Sequence, residues 1–143
     1  MTCRLCKGIV MKTGKRTFII IFCIYMAAVG AVCFLRPDNL PDLKTDNWLG
    51  IPVDKLLHFL MFLPFPILSG AAFIHADRTV TRQLLCLMLL GIIGSVTAYG
   101  TELIQGETGY RSYEIADFHA DMTGIATGII ISAGYMIINR RKR

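Results

Sequence analysis

The stretch QLLCLMLLGIIGSVTAYGT, from Gln83 to Thr101, decides the fold: 19 residues without a charge, set between Arg82 and Glu102. At a helical rise of about 1.5 Å per residue the run covers roughly 28 Å, close to the ~30 Å hydrocarbon core of a bilayer. It is apolar nearly all round, whereas a soluble amphipathic helix would keep a polar face. Its neighbours read the same way. Thr17–Leu35 has 19 uncharged residues, Met122–Asn139 has 18, and Leu56–Ala76 has 21 with His58 and His75 as its sole titratable groups. A helix satisfies its own backbone in lipid. Four such runs therefore predict an all-α integral membrane protein, a bundle of four transmembrane helices.

Composition supports this reading. Of 143 residues, 54% are hydrophobic and 17% charged, against roughly 25% charged in a soluble domain. Disorder is excluded by the same balance, and five irregularly spaced Cys exclude a disulfide-stapled miniprotein. The expected organisation is a basic tail over 1–16, one transmembrane domain over 17–139, and a basic tail over 140–143. Within the domain the spans are expected near 17–35, 56–76, 83–101 and 122–139. The first run has a basic leader and a passable cleavage site at Ala28-Val29-Gly30. It exceeds the usual apolar core of a signal peptide, however, and reads as an uncleaved anchor.

Charge sets the expected orientation. The two tails and the 77–82 connection hold eleven basic residues, while the opposite side holds Arg36, Lys44, Lys55 and Arg111 and nine of the ten acidic residues. The positive-inside rule then places both termini in the cytoplasm of a multi-pass membrane protein. The net charge of +5 reflects that topology and attraction to anionic lipid, not nucleic-acid binding.

Small residues mark helix contacts. Gly124 and Gly128 form a GxxxG, extended by Ala120 and Ser132, and Gly91, Ser95, Ala98 and Glu102 share one face of the third span. Such faces let backbones approach closely, and packing within the chain is expected ahead of a dimer seam. Pro64 and Pro66 predict a kink in the second span.

Polar residues gather where spans two, three and four meet the outer side. Asp54 and His58 are four apart at the start of span two, Glu102 and Gln105 end span three, Arg111 follows, and Asp117 and Asp121 lead into span four. Residues four apart share a helix face, and ionisable groups at membrane depth are functional candidates by default. On spacing alone two readings stand: a polar site, or Lys55 and Arg111 neutralising the carboxylates and fastening loops.

These residues bear a resemblance. DKLLHFLMF at 54–62, ELIQ at 102–105, Arg111, and Asp117-x-x-x-Asp121-x-x-Gly124-x-x-x-Gly128 resemble, in order and spacing, the pattern of the VanZ-like family of small bacterial membrane proteins. The likeness covers roughly Pro52 to Gly128. It departs at Asp121, where that family usually has Asn, so a mechanism needing a neutral amide there is in doubt. The resemblance implies a cell-envelope protein of the bacterial membrane associated with resistance to the glycopeptide teicoplanin, with no defined reaction.

The leading expectation is a substrate-binding site made of Asp54, Lys55, His58, Glu102, Gln105, Arg111, Asp117 and Asp121, recognising the headgroup of a lipid or lipid-linked envelope precursor. Arg111 would clamp a phosphate or carboxylate. An enzyme acting on the same substrate is the alternative, with Glu102 or Asp121 as general base and His58 as partner. The third reading is a structural, partner-binding bundle. No metal or cofactor is expected. Cys3-x-x-Cys6 lacks a second pair, and on a helix His119 would point away from Asp117 and Asp121.

Overall fold

The computed structural model describes residues 4–34, 47–48, 50–107 and 114–141. In chain order these form α1 (Arg4–Phe34), β1 (Asn47–Trp48), β2 (Ile51–Pro52), α2 (Val53–Phe62), α3 (Pro64–Phe73), α4 (Val80–Glu107) and α5 (Ile115–Arg141). Among the described residues, four stretches are long and apolar enough to cross a membrane: Gly14–Cys33, Val53–Phe73, Val80–Glu107 and Ile115–Arg140. The chain is thus an all-α membrane protein with four spans. Its outward faces carry Ile20, Ile24, Leu85, Leu89, Val96, Ile130 and Ile138, side chains that lipid solvates and water does not.

The helices outrun the uncharged stretches. Helix α4 continues past Thr101 to Glu107, and α5 starts at Ile115 rather than Met122, so most of the connection expected over 102–121 is helical. Helix α1 starts at Arg4, which makes most of the expected N-terminal tail helical too. A charge ends favourable burial in lipid, but it does not end a helix. Glu and Gln are good helix formers, and Asp117 in the first turn of α5 complements the helix dipole.

The second span is broken, as its prolines predict. Pro64 and Pro66 have no N–H to give the carbonyls of Leu60 and Phe62. Helix α2 ends with the Leu63 amide donating to the Phe59 carbonyl at 3.0 Å, and α3 restarts with Pro64 in its first turn. From α1, the Tyr25 hydroxyl donates to the Met61 carbonyl at 2.5 Å, just before the break. At the far end of α3 the connection to α4 is short. There the buried Gln83 side chain donates to the carbonyls of His75 (3.2 Å) and Arg78 (3.1 Å) and closes the turn.

Helix α5 packs on α2, α3 and α4, and α1 lies mainly along α3. The core joins Val29, Cys33, Phe62, Ala98 and Ile125. The GxxxG is an internal seam. A Cβ on Gly124 would run into the Phe59 carbonyl oxygen and lie 3.1 Å from the Leu63 nitrogen. One on Gly128 would meet the Leu63 carbonyl oxygen and Pro66 Cδ at 3.0 Å. Thus α5 presses its two glycines onto the backbone of the break itself. Ahead of α2, β1 and β2 form a small antiparallel pair, Asn47 opposite Pro52 and Trp48 opposite Ile51. Gly50 lies in its turn at φ 80°, a conformation that a residue without Cβ adopts freely. The sequence reading had not anticipated this hairpin.

Gly124→Ala and Gly128→Ala should each destabilise the bundle by about 1–3 kcal/mol through overpacking. Gly100→Ala, where an added Cβ meets nothing within 4 Å, should be neutral or slightly stabilising. Thermal unfolding in detergent micelles separates the two classes.

Candidate functional site

Three helix ends meet at the end of the bundle where α2 begins. In α2, Asp54, His58 and Phe62 are the buried residues, four apart on one face. In α4, the buried stripe Gly91, Gly94, Ala98, Glu102 and Gln105 runs into the last turns. In α5, Asp117 and Asp121 are buried one turn apart, followed by Gly124 and Ile125 on the buried side. The stripes that pack the helices are thus the stripes that bear the polar groups. Phe62, Ala98 and Ile125 form the apolar floor beneath them.

His58 is the centre of the arrangement. Its Nδ1 lies 3.0 Å from Asp121 Oδ1 and 3.6 Å from Glu102 Oε1, and its Nε2 lies 3.8 Å from Asp117 Oδ2. A carboxylate offers acceptors alone, so the short contact is an Nδ1–H donated to Asp121. His58, Glu102 and Asp121 are at most 4% exposed. One oxygen of Asp121, Oδ2, is fully buried and has no hydrogen-bond partner among the described residues. Leaving such an acceptor without a donor costs about 1–3 kcal/mol, more for a charged group.

Lys55 guards the rim. Its Nζ donates to Asp117 Oδ1 at 2.9 Å and to Glu114 Oε2 at 3.4 Å, and about 29% of its side chain stays exposed. It ties the start of α2 to the start of α5.

Of the residues expected to form the site, the structure brings Lys55, His58, Glu102, Asp117 and Asp121 together, with Asp54 in reach of His58 and Asp117. Gln105 is buried at the same end, and its Nε2 donates to the Cys33 carbonyl at 3.3 Å, fastening α4 to α1. Arg111 lies outside the described residues. His119 is exposed on α5, turned away from Asp121 as the helix geometry required. Glu114 was missed. Its signal was its position, an acidic residue just ahead of α5 and three residues before Asp117.

The arrangement can accept hydrogen bonds at several carboxylate oxygens, move a proton at His58, or hold a cation. His58, Glu102 and Asp121 each offer a ligand atom within 4.8 Å of the others, and so do Asp54, His58 and Asp117. No protein-family model, curated protein or solved structure matches the chain.

The imidazole should matter to stability. His58→Leu should cost about 3–5 kcal/mol, because Asp121 is left as an uncompensated buried charge. Adding Asp121→Leu should recover most of that loss, since both partners are then gone. A double-mutant cycle followed by thermal unfolding reads the coupling, and near-additive losses would show that the pair does not hold the helices.

Proposed function

We propose that this four-span membrane protein recognises the polar headgroup of a lipid or lipid-linked cell-envelope precursor at the outer membrane interface. The observation that carries the reading is the buried His58–carboxylate cluster, gathered from three helices at one end of the bundle, with Lys55 at its rim. The excess of basic residues at the opposite end supports an orientation with both termini cytoplasmic, which turns the cluster outward. Arg111 and Lys55 supply the positive groups for a headgroup phosphate or carboxylate. Asp54 and Asp117, near the rim, accept hydrogen bonds from hydroxyl or ammonium groups. The motif likeness to VanZ-like proteins supports a place in the cell envelope and a link to glycopeptide resistance.

One observation favours a second reading, acid–base catalysis on the same class of substrate. His58 shares its Nδ1 between Asp121 at 3.0 Å and Glu102 at 3.6 Å, a pairing suited to passing a proton.

Native mass spectrometry of the gently extracted protein tests the headgroup reading, with wild type beside Glu102→Gln and Arg111→Ala. A lipid or lipid-linked sugar that co-purifies with wild type and is lost from both variants is the expected result. No specific adduct in any sample, together with lower heat stability of both variants, would leave the cluster as a structural network. With the ligand in hand, Arg111→Lys should bind more weakly, because a point charge does not replace a planar fork.

A further inference from the structure

We propose that His58, Glu102 and Asp121 form the protein ligands of one divalent first-row transition-metal ion, of the manganese or zinc type. The inference stands apart from the headgroup reading, since neither requires the other.

The first argument is size. The three residues are at most 4% exposed, beneath the Lys55 rim. A single ion fits this closed space, while a headgroup would meet the cluster from its Lys55 rim. The second is the buried Asp121 Oδ2, which has no hydrogen-bond partner among the described residues. It is an acceptor kept from water that finds no donor among the described residues, and a cation satisfies it. The third is spacing. Ligand bonds of about 2.0–2.2 Å around a tetrahedral ion set neighbouring ligand atoms about 3.4 Å apart. His58 Nδ1 stands 3.0 Å from Asp121 Oδ1 and 3.6 Å from Glu102 Oε1, and all three residues offer ligand atoms within 4.8 Å of one another.

Charge and donor chemistry narrow the ion. Two carboxylates match a divalent cation, so the loaded set is neutral as it enters a low-dielectric interior. An imidazole nitrogen with carboxylate oxygens suits manganese, iron or zinc rather than the all-oxygen sets of magnesium or calcium. Metal binding at Nδ1 leaves the imidazole with a single proton on Nε2, so a neutral His58 shifts its proton to Nε2 and a His58 imidazolium releases its Nδ1 proton. The Nε2–H then faces Asp117 Oδ2, 3.8 Å away, which a small shift would bring to the hydrogen bond that orients metal-bound histidines. The neighbouring group of Asp54, His58 and Asp117 is the weaker candidate, because the Lys55 ammonium already sits 2.9 Å from Asp117 Oδ1 and repels a second cation. The sequence reading expected no metal because His119 would point away from Asp117 and Asp121. The imidazole that meets these carboxylates comes from His58 on another helix.

The test uses the untagged full chain in detergent micelles, stripped with EDTA and titrated with Mn2+ (followed by electron paramagnetic resonance) and with Co2+ (followed by visible absorption). The expected result is saturable binding of one ion per chain, with a rise in Tm on loading and no thiolate charge-transfer band. Such a band that disappears in Cys3→Ser/Cys6→Ser would assign the ion to the N-terminal cysteines and overturn the proposal. Asp121→Asn and Glu102→Gln should each abolish saturable binding. Asp117→Asn should weaken it about 10–100-fold, as loss of a metal ligand's supporting partner does. Asp54→Asn should leave it within a few fold. If Asp121→Asn does not fold, the stoichiometry and Tm shift of wild type against folded Glu102→Gln decide the matter. No saturable binding by wild type, or binding unchanged in Glu102→Gln, overturns the proposal.

Discussion

The close approach of α5 to the broken second span is the contact on which the rest depends. Gly124 and Gly128 lie against the carbonyls of Phe59 and Leu63 with no space for a side chain between them. That contact fixes the register of two helices at once. His58 immediately precedes Phe59, and Asp121 lies one turn before Gly124. Seating the glycines therefore seats the imidazole against the carboxylate. In lipid no bulk hydrophobic force pulls helices together, so backbone proximity and interhelical polar bonds carry the association. Here the two are neighbours on the same stripe.

The prolines serve the same contact. An unbroken helix would have used its own amides for the carbonyls that Pro64 and Pro66 leave behind. Other helices make contact with the backbone on either side of the break. Tyr25 takes the Met61 carbonyl from α1, while the glycines of α5 come up against Phe59 and Leu63. The kink is thereby held on two sides.

The fold was legible in the sequence because the bilayer imposes a length, and uncharged runs of 18–21 residues meet it. Helix ends were less legible. Several of the charges that bounded the runs, Lys55, Arg82, Glu102 and Asp121 among them, lie inside helices, and Glu102 and Asp121 both face His58 across the bundle. Spacing within a helix revealed Asp54 with His58 and Asp117 with Asp121 as shared faces. It turned His119 away from Asp121, but it could not show that His58 meets Asp121, because that depends on contact between α2 and α5. Gln105 shows the same limit: its position was readable, but its bond to the Cys33 carbonyl of α1 was not.

The half-length of α2 has an electrical consequence. Its 10 residues rise about 15 Å, and His58 lies about 7.5 Å from where the helix starts. With the start of α2 set at the hydrocarbon boundary, the cluster is about a quarter of the way through a ~30 Å core. A charge reaching it from that side crosses about a quarter of the transmembrane potential, worth about 0.6 kcal/mol per elementary charge at 100 mV. For a divalent ion that is about 1.2 kcal/mol, so a 100 mV change in potential would shift occupancy of the cluster several-fold.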